Sequence, residues 1–396
     1  MLDIPKKKFR HHSLTGRITP PVLRTAFKRV KRNRGAAGVD QQSVAAFEAN
    51  LDANLAALMR HLKGRTFRPL PLLRRWIRKA AGKLRPLGIP VVRDRVAQGV
   101  LWALLEPIFE RLFHDSSHGL RWGRSCHTAM QELMGYVRHE HTWIVEADIQ
   151  GFFDNISHRL IQSMVAAEVA DGNILELLRR FLQAGVMEGT VVKPTRRGTP
   201  QGGVVSPLLA NIVLNHLDWT LQAHGFKFVR YADDFLVLCT SREQAEKALE
   251  LVRRVIEAEL GLRLHPDKTR IVSLRQGFEF LGYRISSFTV RMGRKAEERF
   301  KDKIRECTCR SHNLDAEAVA KLNVVIRGTV NYFYTAFTTN LAQFNELDHW
   351  IRMRVRCMKF KRISHGDNRK LPNRHIRRLG LIGCRECALS IRLKVA

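Results

Sequence analysis

Two short apolar runs, Phe226–Arg230 and Phe235–Cys239, flank Tyr231-Ala232-Asp233-Asp234. Runs of this length rich in Phe, Val and Leu read as strands, and so brief a connection folds them back on each other as a hairpin. Strand interiors disfavour Asp, and adjacent carboxylates at a tight turn repel each other unless a cation lies between them. Hard oxygen ligands held at a strand end suit Mg²⁺, which takes few protein carboxylates and leaves room for phosphate and water. Taken alone, the pair is also compatible with an ordinary turn.

A third carboxylate narrows the reading. Asp148 closes a run from Thr142 to Ile149 in which Trp143, Val145 and Ala147 alternate, and Gly151-Phe152-Phe153-Asp154 makes a further turn beside it. If the strands Trp143–Asp148 and Phe226–Cys239 pair, Asp148 and Asp233 meet at one sheet edge. Three acids around two metal ions is the requirement of in-line nucleotidyl transfer. One ion lowers the pKa of the attacking hydroxyl, and the other steadies the leaving pyrophosphate.

The rest of the chain supplies a scaffold of matching type. Periodicity predicts a basic helix from Val22 to Arg32, a helix from the Ser43 cap to about Leu62, and one from Arg95 to Phe113 on Val96, Val100, Leu104 and Ile108. Residues 66–92 read as a strand pair around Ala80-Ala81-Gly82. One long helix is expected from about His158 to Ala184, others from Ser206 to Ala223 and Arg242 to Leu260, and strands near Thr269–Leu274 and Phe278–Ile285. Beyond about residue 290 the chain turns helical and basic. This order predicts an α+β sheet domain with helices on one face, followed by a helical domain.

Charge says what such a chain meets. The 396 residues carry a formal +31 and a pI near 10.7, divided as +10 over residues 1–34, +12 over 351–396 and +9 over everything between. Basic flanks around a nearly balanced body point to a nucleic acid, the alternative being a solubilising surface that would mix both signs. A composition 45% hydrophobic excludes general disorder, and no apolar stretch is long enough to span a membrane. Seven scattered cysteines and no apolar leader predict a reduced intracellular protein. Cys307-x-Cys309 with Cys384-x-x-Cys387 has thiolate spacing compatible with zinc, although no His-x-His pair supports it. Pro5 before Lys6-Lys7-Lys8 argues against an amphipathic organellar leader.

Tyr231-Ala232-Asp233-Asp234 resembles the reverse transcriptase signature. The block Gly198-Thr199-Pro200-Gln201-Gly202-Gly203-Val204-Val205-Ser206-Pro207-Leu208-Leu209-Ala210-Asn211-Ile212 looks like its neighbour in group II intron reverse transcriptases, or maturases. The likeness continues through Gly35 to Asp40, Arg85 to Pro90 with Arg93-Asp94-Arg95, Glu146 to Asp154, and Phe280-Leu281-Gly282-Tyr283. It implies a right-hand polymerase: an N-terminal extension and fingers over 1–95, a ferredoxin-like antiparallel palm with remaining fingers elements over 96–287, and a helical thumb or maturase domain with a basic tail over 288–396.

By position, the resemblance assigns metal binding to Asp148, Asp233 and Asp234, with the Ile149 backbone, and two Mg²⁺ ions with Mn²⁺ as an alternative. Lys268 matches the lysine proposed as general acid. Lys79, Arg85, Phe153 and Gln201 match dNTP contacts, the Phe153 ring standing where it would clash with a 2′-OH. Phe280, Leu281 and Gly282 match the primer grip. Arg121, Arg124, Arg327, Arg352, Arg354 and Arg356 are the nucleic-acid candidates, with Tyr332 and Tyr334 as stacking or packing partners.

Two departures stand out: His118-Gly119-Leu120-Arg121 replaces the usual Gly-Phe-Arg template loop, and Arg196-Arg197 stands where an acid is common. No paired-Cys or His-Asn-His endonuclease segment follows the thumb-like region, so target-DNA cleavage is not expected of this polypeptide. The expected activity is RNA-directed DNA polymerisation in a bacterial cytoplasm, an organelle being the lesser alternative, with an RNA template, an RNA/DNA duplex, dNTPs and a structured intron or non-coding RNA as partners. The rival readings are a domesticated reverse transcriptase in phage defence or repair and a splicing factor acting through RNA binding alone.

Overall fold

Strands buried on both faces build the central sheet of the computed structural model, which describes residues 9–78, 84–199 and 202–395. In chain order its strands are β1 (Leu72–Arg78), β2 (Leu84–Ile89), β3 (Trp143–Ala147), β4 (Val186–Glu188), β5 (Val191–Lys193), β6 (Lys227–Tyr231), β7 (Asp234–Cys239), β8 (Arg270–Ser273), β9 (Phe278–Phe280), β10 (Tyr283–Ile285) and β11 (Val290–Met292). The palm sheet runs β6-β7-β3-β8. The two predicted strands do pair: β3 lies antiparallel to β7 from Trp143↔Cys239 to Ala147↔Phe235, and β6 to β7 up to Tyr231↔Asp234. With helices after β3 and β7, this is the split βαβ order of a ferredoxin-like sheet.

Val145, Ala147, Phe228, Phe235, Val237 and Cys239 turn one sheet face into a large core shared with the helices Val92–Phe109, Ser206–Ala223 and Arg242–Arg253. Ile144, Leu236 and Leu238, which point the other way, are buried too, and the helix Cys126–Arg138 lies against β6 with Ala129, Met130 and Leu133 buried. Helices on one face only was therefore an incomplete expectation. A second sheet, β2-β1-β4-β5, carries the predicted strand pair: β1 and β2 are antiparallel from Leu73↔Ile89 to Arg78↔Leu84, and their connection lies outside the described residues.

Three predicted elements break. The long helix divides into His158–Glu168 and Gly172–Leu182, because the Asp171 carboxylate accepts the backbone N–H groups of Asn173 and Ile174 at 3.0 and 3.3 Å and caps a new start. The helix after Ser43 divides at Asn50 into Val44–Ala49 and Leu51–Lys63. The run Phe278–Ile285 is a hairpin, β9 pairing β10 across Leu281 and Gly282, both at positive φ (49° and 84°). Two left-handed residues in a two-residue loop match the right-handed twist of the strands, and glycine takes one place without strain.

The chain divides into two compact units, Met1–Ile271 and Val272–Ala396. The second holds the sheet β11-β10-β9 and the helices Arg294–Cys307, Ala316–Phe333, Leu341–Phe360 and Cys384–Val395. Val319, Leu322, Ile326, Val330 and Phe333 form the buried stripe of one of these, at helical spacing. Asp348 reaches from another to accept the backbone N–H groups of Cys384 (2.5 Å) and Arg385 (3.1 Å), capping the last helix.

Candidate active site

The β3–β7 ladder ends at Ala147↔Phe235, so Asp148 and Asp234 are the next residues on paired strands and Asp233 tops the adjoining turn. Beyond β3 the chain takes a new partner: His265 N–H donates to the Asp148 carbonyl at 2.7 Å, and Gln150 N–H to the Arg263 carbonyl at 2.8 Å. In this antiparallel pairing of Ile149 with Leu264, the two bonds flank Ile149, whose own carbonyl turns away from Leu264. The turn after His265 brings Lys268 over the site, and its Nζ lies 2.7 Å from Asp148 Oδ2. Burial pushes the Asp234 carboxyl up to about 6 even though part of it reaches solvent; Asp233 and Asp148 push the same way and Lys268 opposes them.

Neighbouring carboxylates that repel one another are a donor set a divalent cation would relieve, and hard oxygens suit Mg²⁺. Among the described residues no three His, Cys, Asp or Glu side chains stand close enough together to hold a metal ion by themselves, the three acids and the cysteines included. Thr199 N–H donates to the Phe153 carbonyl at 2.7 Å, tying the Gly198-Thr199 block to the turn that carries Phe153. The Phe153 ring is partly buried and packs edge-on against the buried Phe152, centroids 5.4 Å apart. Gln98 Oε1 accepts Val204 N–H at 2.7 Å and anchors the same block. Lys79 and Gln201 lie outside the described residues; Arg85 stands opposite Ile77 in the β1–β2 pair.

Residues 77–285, more than half the chain, match the family described as reverse transcriptase (RNA-dependent DNA polymerase), and residues 297–377 match the group II intron maturase-specific domain. This chain belongs to the reverse transcriptase family. It is 34% identical over 286 residues to protein YkfC of Escherichia coli (strain K12), covering 63% of this chain and 75% of that one. To the group II intron-encoded protein LtrA of Lactococcus lactis subsp. cremoris it is 28% identical, covering 86% and 73%. An uncharacterized 91 kDa protein in the cob intron of Schizosaccharomyces pombe is 40% identical over 288 residues, 58% of this chain and 36% of that one. Among the described residues no helix is long and apolar enough to cross a membrane.

In this reverse transcriptase the Phe280-Leu281-Gly282 turn is pinned from the second unit's own helix: Tyr332 Oη donates to the Leu281 carbonyl at 2.9 Å, and Tyr283 Oη donates to the Tyr332 carbonyl. The arginine candidates divide sharply. The Arg121 side chain is only 4% exposed and donates to Glu110 and to the carbonyls of His114 and Ser117, so it braces that loop. Arg124 pairs with Asp115 at 2.6 Å. Arg352, Arg354 and Arg356 lie well inside the helix Leu341–Phe360. At helical pitch Arg352 and Arg356 share a face while Arg354 points away, donating to the Thr308 hydroxyl and carbonyl at 3.1 and 2.9 Å. Arg356 is buried and donates to the Leu371 carbonyl (2.9 Å) and Asn373 Oδ1 (2.6 Å).

Arg352 lines a cavity of about 500 Å³ with Arg362, His349 and His365. Arg327 is exposed on the helix Ala316–Phe333. Sequence reasoning missed Arg230 and Asp218, both fully buried beneath the acidic turn; their signal was a charge inside each of two apolar elements.

Proposed function

We propose that this reverse transcriptase copies RNA into cDNA by two-metal nucleotidyl transfer at Asp148, Asp233 and Asp234. We further propose that its second unit binds a structured intron RNA and assists splicing and retrohoming. The observation that carries the first part is the β3–β7 pairing, which brings the end of one strand and the turn of another to one edge. Asp148 and Asp233, with the Ile149 carbonyl and Asp234 in support, would hold the ions. When bound, these lower the pKa of a primer 3′-OH and stabilise the leaving pyrophosphate.

The remaining steps fall to the chain's own groups. Lys268 Nζ, within reach of Asp148, donates a proton to the departing pyrophosphate. The Phe153 ring excludes a 2′-OH and so selects dNTPs, while Gln201, Lys79 and Arg85 contact the incoming nucleotide. The Phe280-Leu281-Gly282 hairpin steadies the primer strand. Arg327 and Arg352 meet RNA phosphates, with Arg124 joining once released from Asp115. On this reading fingers occupy 1–95, palm 96–287 and thumb 288–396, and the protein works in a bacterial cytoplasm, where relatives from Escherichia and Lactococcus support it.

The test offers the purified chain an RNA template, a DNA primer and Mg²⁺. Extension with dNTPs, loss of extension with NTPs and abolition by a chelator are expected; retention of RNA binding without any extension would leave a splicing factor alone. Phe153→Ala should admit NTPs, and continued exclusion would remove that residue from the selection step.

A further inference from the structure

Beneath the acidic turn lies a polar network that the proposed chemistry does not use. Arg230, the residue before Tyr231, is fully buried, as is Asp218 on the helix Ser206–Ala223. The guanidinium grips the carboxylate with two bonds, Nε to Oδ1 at 2.7 Å and Nη2 to Oδ2 at 2.5 Å. Its Nη1 donates to the Ala232 carbonyl and to Asn211 Oδ1, both at 2.9 Å. Asn211 passes the connection on, its Nδ2 donating to the Gly119 carbonyl at 2.9 Å. The Arg230 backbone joins the same loop: its N–H donates to the Ser116 carbonyl at 2.9 Å, and its carbonyl accepts His118 N–H at 2.8 Å.

The object of this convergence is Ala232. Its φ of 58° lies in the left-handed region, which a residue with a Cβ adopts at a cost and keeps only when its surroundings insist. Arg230 holds its carbonyl from one side. On the other, Gly119 lies so close that a Cβ there would sit 2.2 Å from Ala232 N, leaving no room for a side chain. A planar fork fixed by a bidentate carboxylate is a rigid donor, which a flexible ammonium does not reproduce. The residue so clamped is the one immediately before Asp233.

We propose that Arg230, Asp218 and Asn211 are positioning residues for the polymerase reaction: they lock the Ala232 backbone and thereby set where the Asp233 and Asp234 carboxylates stand. The inference rests on reading those carboxylates as metal-holding, a premise that Asp233→Asn tests by itself.

The decisive comparison uses the full chain as wild type, Asn211→Ala, Gly119→Ala, Arg230→Lys and Asp233→Asn. Three quantities are read: melting temperature with and without Mg²⁺ and no substrate, affinity for a primer–template duplex, and the single-turnover extension rate against Mg²⁺ concentration. Asn211→Ala is expected to stay folded and bind duplex as wild type does. Its extension rate should fall about 10²-fold, the loss that a misplacement of about 1 Å brings. Its half-saturating Mg²⁺ should rise, and the Mg²⁺-induced gain in melting temperature should shrink. Gly119→Ala and Arg230→Lys should move the same quantities in the same direction.

If Asn211→Ala and Gly119→Ala extend at wild-type rate with unmoved Mg²⁺ half-saturation while Asp233→Asn is inactive, the network is structural only and the proposal falls. A rate loss that merely tracks the folded fraction, with Mg²⁺ half-saturation unmoved, overturns it equally. Normal extension by Asp233→Asn removes the premise instead.

Discussion

Arginine does opposite work in the two units. In the first, Arg230 is sealed from water with its donors committed to Asp218, Asn211 and Ala232. In the second, Arg352 faces an open cavity with no hydrogen bond or ion pair among the described residues. Its neighbour Arg356 is held below its ordinary pKa, first by burial and then by the charge of Arg352. Three guanidinium groups line one cavity, Arg362 paired there with Asp367 and Arg352 unpaired, so that Arg352 is the one suited to a phosphate, whereas a guanidinium enclosed by carboxylate and carbonyls is a strut. A net charge of +31 counts both alike.

The comparison breaks first at Arg230→Ala. Leaving Asp218 buried without a partner should cost about 3–5 kcal/mol of stability, read by urea or thermal melts, and a loss under about 1 kcal/mol would mean that water reaches the pair. A second effect comes from Asp94, a buried acid with a weaker partnership: Arg93 Nε at 3.2 Å and Leu70 N–H at 2.7 Å. Burial pushes its carboxyl up to about 6 from an ordinary 3.8. The folded chain thus holds this proton more tightly than the unfolded one, so the associated stability is full below about pH 4 and lost as pH rises through about 6. Asp94→Asn should flatten that decline, by up to about 3 kcal/mol between pH 4 and 7. An unchanged slope would show that Asp94 is ionised throughout.

Within the second unit the contrast predicts smaller and divergent effects. Arg354→Ala should cost about 1.5–3 kcal/mol through its lost bonds to Thr308, with RNA affinity per folded molecule unchanged. Arg352→Ala should leave stability within about 0.5 kcal/mol. It should weaken RNA binding and lower the salt slope by about one. The reverse pattern would exchange their roles.

The acidic hairpin was legible because its signal is local: apolar runs of strand length, carboxylates where strands reject them, and a third acid closing a separate run. The order of the palm elements followed from the same periodicity. Partnerships were not legible. Arg121 and Arg354 read as free positive charge until Glu110 and Thr308, from other elements, claim them. Arg230 finds its carboxylate twelve residues back along the chain, on a helix whose apolar pattern hid Asp218. The break at Asp171 depended on its capping of the following backbone N–H groups, and the turn at Leu281-Gly282 hid inside an apolar run because nothing but the glycine marked it.

The central claim is that Asp148, Asp233 and Asp234 carry the chemistry. Single-turnover extension of a DNA primer on an RNA template, at saturating dNTP and Mg²⁺ and with equal duplex occupancy, measures it directly. Asp233→Asn and Asp148→Asn should each lower the rate by at least about 10³-fold while leaving duplex affinity intact, in line with the barrier lowering that metal-assisted charge stabilisation supplies. Extension by Asp233→Asn at a rate indistinguishable from wild type would contradict the account.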